Sequence, residues 1–405
     1  MPTAHRRVIR FINAAHFVVH WFMLIFPTAV LGMESDFGRP FGELIALSLG
    51  GFIAFGAGSL PAGWLGDRWS RRNMMALYFI GIGLAAAATG LAETAWQLAA
   101  GLTAIGLFAS IYHPVGTAML VSHAELPGRA IGVNGVWGNL GVASAALLTG
   151  AVTQWIGWRW AFALPGAAVV LMGLLYLRLV PDEGNRRVER HARDVAFPRP
   201  VVVRAFAVMA LVTLSGGVVF TAVTLALPKL FAERLSGLSG TFSVGLLVFG
   251  VYAIGAMSQL IIGRMIDRHP LKACFLPLAL WQAPLLGLAA IVQGWVLVPV
   301  AAAMVFVMFG QVTINDGMVA RYAAADWRAR VYAVRYLLSF GVSACAVPLV
   351  AATHDRGGFH LLFVVLAVFG AVTFAGALAF PYRRDELQTA TAPRLAAAPR
   401  QAPGS

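Results

Sequence analysis

Long apolar runs alternate with short polar breaks along this chain, and each run is about 20 residues, the length of a helix crossing a bilayer. The runs fall near 10–33, 42–66, 74–92, 95–121, 130–156 and 158–180, then near 205–231, 241–266, 273–293, 295–320, 331–353 and 359–381. Between the two sets lies the longest polar stretch, PDEGNRRVERHARDVAFPRP, and the chain ends in the Ala/Pro-rich TATAPRLAAAPRQAPGS. The pattern predicts an all-α integral membrane protein with 12 transmembrane helices in two six-helix bundles. The bundles are expected at 1–180 and 205–382, joined by a cytoplasmic central loop at 181–204 and followed by a disordered cytoplasmic tail at 383–405.

Composition agrees with lipid as the solvent. Hydrophobic residues make up 59% of the 405 positions and charged ones 12%, with a mean hydropathy of +0.77, more apolar surface than a soluble core can hide. The net charge of +13 suggests nucleic acid only until the basic residues are located. Of 30 lysines and arginines, 24 lie in segments that share one side of the membrane and 5 on the other; Arg335 alone lies inside a span. That asymmetry predicts both termini in the cytoplasm and no nucleic-acid partner. The N-terminus runs from a basic patch into an apolar stretch with no small-residue cleavage site, so it is expected to stay as the first span. Cys274 and Cys345 lie far apart and form no CxxC pair, which argues against a disulfide framework or structural zinc.

The two halves repeat. GWLGDRWSRRN begins at Gly63 and GRMIDRHPLK at Gly263, so Gly63, Asp67 and Arg68 recur as Gly263, Asp267 and Arg268. Arg129, opening span 5, has its counterpart in Arg330, opening span 11. Parallel six-span repeats predict a transporter whose site lies between the bundles. The loop from Gly63 to Arg72, its second-half echo, and GWRWAF at Gly157–Phe162 resemble the major facilitator superfamily over nearly the whole chain. Within it, His16, YHP at Tyr112–Pro114 and GNLG at Gly138–Gly141 are similar to the fosmidomycin-resistance branch, a resemblance that implies proton-coupled drug efflux. One departure bears on direction: Ala145-Ala146 stands where that branch has a Gly-Pro pair associated with antiporters.

Candidate chemistry falls into three groups. A carboxylate at the inner end of a span, Asp67 or Asp267, can accept from free amides at the start of a neighbouring helix. The resemblance implies a cytoplasmic gate in which Asp67 meets span 11 and Asp267 meets span 5, with Arg68, Arg72, Arg129, Arg268 and Arg330 alongside; anionic lipid is the other partner for these cations. His16 and His20, four apart, share a helix face with Asn13 beneath them. His20 lies roughly 15 Å into its span, and His113 reaches a similar depth on span 4, in a polar stripe with Ser110 and Thr117. These histidines fit structural hydrogen bonding, or substrate and proton handling. No acid or cysteine close in sequence completes a metal-ligand set, so no metal or cofactor is expected. Finally, Asp316 is the one acid clearly within a span. It and Arg335 both lie roughly 7 Å inside the cytoplasmic end of consecutive helices, so a mutual salt bridge is expected. Gln311 and Asn315 flank Asp316, Tyr332 and Ser339 flank Arg335, and Asn134 and Asn139 add polar groups to span 5. Pro114 removes one backbone donor and frees the Ser110 carbonyl at mid-membrane.

No P-loop, serine–histidine–acid signature or HExxH occurs, so neither ATP hydrolysis nor membrane-enzyme chemistry is expected. The reading is a monomeric secondary active transporter of a bacterial inner membrane, moving a small organic solute by alternating access, with proton coupling through Asp316 or His113 and efflux favoured. The alternatives are a proton-driven importer of an organic anion and a transport-dead sensor on the same scaffold.

Overall fold

The structure is a computed structural model that describes residues 3–125, 127–181, 198–323 and 325–382. The side chains of Arg129, Arg330 and Tyr332, the predicted central loop from 182 to 197 and the predicted tail lie outside the described residues. Helices account for nearly all of the rest. Span 1 is Thr3–Met23, continued by the short helix Phe26–Ala29. Phe41–Ala46 and Leu49–Arg68 together form span 2, and Arg71–Thr89 forms span 3. Span 4 runs from Ala95 to His123, span 5 is Pro127–Ile156 and span 6 is Trp158–Leu179. In the second half, spans 7 to 10 are Arg199–Arg234, Gly240–Ile266, Leu271–Ile291 and Leu297–Tyr322. The last helical stretch, Ala325–Ala379, breaks at Gly357 and Gly358. Gly358 has φ +60, a left-handed conformation open to glycine without strain. The break turns one apparent helix into spans 11 and 12.

The chain therefore has 12 spans, in two six-helix halves. Ten segments are long and apolar enough to cross a membrane by themselves. Span 3, which opens on Arg71 and Arg72, makes one more, and the break at Gly357 and Gly358 divides the last of the ten, Leu337–Ala379, in two. Span 7 starts at Arg199 and not near 205, because Pro198 precedes its first turn and the arginines there can reach the interface while their stems lie along apolar surface. Large exposed side chains such as Trp96 at 85% and Leu171 at 66% point outward, where hydrocarbon replaces water.

Within each half, small residues let backbones touch. A Cβ on Gly83 would lie 2.6 Å from the Gly166 carbonyl oxygen, which locks span 3 to span 6, and one on Gly51 would lie 2.7 Å from Leu102 O, between spans 2 and 4. The repeat extends to the ends of the spans. Arg72 donates to Leu177 O at 2.5 Å and Val180 O at 3.0 Å, at the C-terminus of span 6. Lys272 donates to Leu378 O at 2.6 Å, at the C-terminus of span 12. Both satisfy carbonyls that a helix end leaves without partners. Arg72, expected in the gate, is thus a helix cap.

The halves meet chiefly along span 5 against span 8 and span 2 against span 11, and they meet unequally at the two ends. The end carrying the N-terminus and Arg68–Arg72 is the basic face; the other is the distal face. On the distal face Lys229 of span 7 pairs with Glu34 beyond span 1 and lies 3.7 Å from Glu233. His354 lies 3.3 Å from Glu233 and packs on Phe41 at 5.0 Å. Thr241 donates to Gly150 O at 2.8 Å, and Gln154 accepts from the Phe242 amide at 2.9 Å. Toward the basic face the same stripe of span 5 loses contact with span 8. Past Asn139, a Cβ on Gly135 or Gly132 would meet no described atom within 4 Å. Among the described residues, the halves are tied at the distal face, and glycine surfaces of span 5 beyond Asn139 meet no described atom of span 8. Trp155 and Trp160 are exposed on the distal rim, but Trp158 is buried and donates to Asp36 at 2.8 Å. It is a structural tie and not the interfacial anchor its neighbours suggest.

Candidate functional site

The interior site begins at Pro114. With no amide there to continue the ladder, span 4 widens into a π-helical turn over Tyr112–Gly116. In an ordinary helix two consecutive residues point about 100° apart. The wide turn lets Tyr112 and His113 both reach span 1. The Tyr112 ring stacks on His16 at 4.9 Å, while His113 meets His16 and His20 edge-on at 5.6 and 5.7 Å.

Span 5 supplies the polar floor. Asn134 O lies 2.7 Å from His16 Nδ1, and since a carbonyl only accepts, that nitrogen carries the hydrogen. Tyr112 donates to Asn134 Oδ1 at 3.0 Å, and Asn134 Nδ2 donates to Asn13 Oδ1 at 3.0 Å. His20 Nε2 lies 3.2 Å from His16 Nε2. A glycine makes room for the assembly. A Cβ on Gly138 would lie 2.6 Å from His16 Cε1 and Nε2. Gly138→Ala is expected to displace the His16 ring and cost about 1–3 kcal/mol as overpacking. Thermal unfolding in detergent checks this, and an unchanged Tm would contradict the contact.

The roof comes from both halves. Phe55 of span 2 and Phe340 of span 11 touch each other at 4.5 Å and pack on His113 at 5.9 and 5.0 Å. Nothing in the sequence pattern marks either phenylalanine, since a cross-bundle contact has no period along the chain.

The charged pair lies in the second half, toward the basic face. Arg335 of span 11 donates to Asp316 of span 10; the arginine side chain is 7% exposed and the carboxylate 47%. The buried guanidinium thus presents an accessible carboxylate. Gln311, expected beside Asp316, faces away and donates to Gln282 of span 9 at 3.1 Å. Both side chains are buried, so the pair ties spans 9 and 10 together. Asn315 Oδ1 is buried without a described hydrogen-bond partner. Asn139 donates to Gln259 at 2.6 Å, a bond between spans 5 and 8.

At the basic face, Asp67 accepts from Arg71 at 2.6 Å and Arg68 lies over Trp64 at 4.7 Å. Gly63 packs toward Pro114, where a Cβ would come within 3.2 Å of the ring. In the second half, Asp267 and Arg268 are exposed, and a Cβ on Gly263 would lie 4.0 Å from Thr313 Cγ2. The side chains of Arg129 and Arg330, which would complete the gate, lie outside the described residues.

Residues 12–348 match the family described as Major Facilitator Superfamily. The chain belongs to the major facilitator superfamily. Among curated relatives, this superfamily member is 31% identical over 209 residues to the puromycin resistance protein pur8 of Streptomyces alboniger, 51% of the chain and 37% of that protein. It is 28% identical over 179 residues to the putative glycerol-3-phosphate transporter 2 of Arabidopsis thaliana, 42% of the chain and 35% of that protein. Those alignments span little more than a third of either relative. Solved structures share the fold across the whole chain. A bacterial homolog of the human lysosomal transporter Spinster, inward-facing and unoccupied, superposes with a TM-score of 0.75 at 15% identity, covering 94% of this chain and 98% of its own. A D-xylose–proton symporter gives 0.72 at 14% identity, covering 92% and 96%. The chain is thus a multi-pass membrane protein of a transporter family, and that family and fold are generally non-enzymatic.

Proposed function

We propose that this transporter carries a small organic solute out of a bacterial cell across the inner membrane, by alternating access coupled to protons. The observation that carries the reading is the Asp316–Arg335 pair, a half-exposed carboxylate held by a buried guanidinium toward the basic face. With Asp316 ionised, the pair is neutral overall. A proton on Asp316 weakens its hold on Arg335 and strengthens the pull of the guanidinium on an anionic group of the solute. Proton and solute then act on the same two side chains, which is the minimum that coupling requires.

The histidine–tyrosine–asparagine assembly and the Phe55–Phe340 roof form the other wall. The 24-to-5 distribution of basic residues favours a cytoplasmic basic face. Efflux rests on the likeness to a protein named for puromycin resistance and on the motifs shared with the fosmidomycin-resistance branch. Import of an organic anion driven by protons is the second reading, favoured by the buried arginine. The protein acts as a monomer within its lipid shell.

Purified protein in liposomes under an imposed proton gradient, offered a panel of anionic and amphipathic solutes, tests the reading. Solute movement opposite to the proton flow is expected. Movement with the protons would select the importer, and no flux under either gradient would defeat proton coupling.

A further inference from the structure

Three imidazoles lie outside the Asp316–Arg335 pair and converge on one point of the first bundle. Ring nitrogens of His16, His20 and His113 all lie within 4.8 Å of one another. The bond from His16 Nδ1 to the Asn134 carbonyl at 2.7 Å fixes the tautomer. His16 Nε2 therefore presents a lone pair, and His20 Nε2 faces it at 3.2 Å. Two imidazole nitrogens bound to one tetrahedral ion at about 2.0–2.1 Å stand about 3.4 Å apart. The His16–His20 pair, one helical turn apart on span 1, already has that separation. His113 needs to approach by about 1.4 Å at most to complete the set.

We infer that His16, His20 and His113 form a binding site for a divalent transition-metal ion of the zinc and cobalt class. Neutral imidazoles suit those ions and discriminate against magnesium and calcium, which take oxygen ligands. A ligand histidine whose other nitrogen donates to a backbone carbonyl is the arrangement that orients imidazole toward a metal. Asn134 supplies that carbonyl, and its side chain is itself held by Tyr112 and Asn13. Among the described residues no carboxylate or thiolate joins the three imidazoles, so the ion keeps its double positive charge in largely apolar surroundings. An anionic oxygen donor in the fourth position offsets that charge. His113 borders the Phe55–Phe340 roof, so the fourth position faces the seam between the halves. The competing arrangement is a hydrogen-bonded trio that binds no ion.

Cobalt(II) titrated into the tag-free, full-length chain in nanodiscs distinguishes the two. One equivalent is expected to bind with the visible absorption of four-coordinate cobalt, and zinc is expected to displace it. His16→Ala, His20→Gln and His113→Gln should each weaken binding on the order of 100-fold or more, at least the loss that outer-shell changes alone can reach. His269→Ala and His360→Ala, both at exposed positions, should bind as the parent does. No absorption from the parent chain, or absorption unchanged in all three variants, would overturn the site. X-ray absorption of the zinc-loaded parent needs no variant to fold. Three imidazole nitrogens at about 2.0 Å are expected, and an all-oxygen shell would overturn the assignment. Neither readout involves flux. A chain that binds cobalt but moves no solute would sink the transport reading and leave the metal site standing.

Discussion

In liposomes, Asp316→Asn is expected to stop proton-driven movement of solute against its gradient while solute exchange continues. The amide keeps the shape of the carboxylate but can neither ionise nor take up the coupling proton. Uphill transport should fall to background, and counterflow with solute on both sides should stay within a few-fold of the parent. Uphill transport at the parental rate would remove Asp316 from coupling. The same residue carries a structural contribution that a double-mutant cycle separates. Arg335 is nearly buried and loses its counter-charge in Asp316→Ala. A charge-assisted hydrogen bond of this kind contributes about 1.5–3 kcal/mol, and the half-exposed carboxylate favours the lower end. Arg335→Ala combined with Asp316→Ala should cost less than the two single changes added together. Strict additivity would mean that the contact contributes nothing.

The second large effect concerns the distal closure. Gly42, at the start of span 2, faces Asp355 at the end of span 11 so closely that a Cβ on Gly42 would lie 2.5 Å from the aspartate Cγ. Cysteines at both positions fall within bridging reach. Gly42→Cys with Asp355→Cys, on a background where the exposed Cys345 is changed to Ser and the buried Cys274 kept, should form a disulfide under mild oxidant. The bridge would hold the distal face shut. Transport should drop at least about tenfold, the step that 1.4 kcal/mol of bias produces, and return on reduction. Undiminished flux in a chain shown to be cross-linked would exclude distal opening at this contact as part of the cycle.

Much of the fold is legible in the sequence because lipid imposes one rule, an apolar helix of fixed length. Span 7 starts earlier than its apolar core because arginine stems extend a helix past the hydrocarbon edge. The pairing of Asp316 with Arg335 is legible for a related reason: ions inside spans are few, and these two lie at one depth on consecutive helices. Side-chain direction is harder to read. Gln311 looks like a companion of Asp316 from its spacing, yet it turns to Gln282, a residue that no pattern singles out. Trp158 resembles its neighbours at the rim until Asp36 draws it inward. His113, on a helix almost a hundred residues away, joins the other two imidazoles by its matching depth, which spacing within one span cannot show. Gly138 reads as a small residue for helix packing and turns out to shape a cavity for one ring.

The wide turn at Tyr112–Gly116 has a consequence for how this chain can change. A π-helical turn holds one more residue than the α-helical turn it replaces, so span 4 carries an insertion that the rest of the helix has absorbed. Deleting one residue there would return the helix to regular winding and leave the parts on either side in register, so the loss would fall on the turn itself. Point substitutions can vary the chemistry around His113, but the extra residue is what lets Tyr112 and His113 both face span 1 while Pro114 and Val115 keep their places beside Gly63 and Gly66.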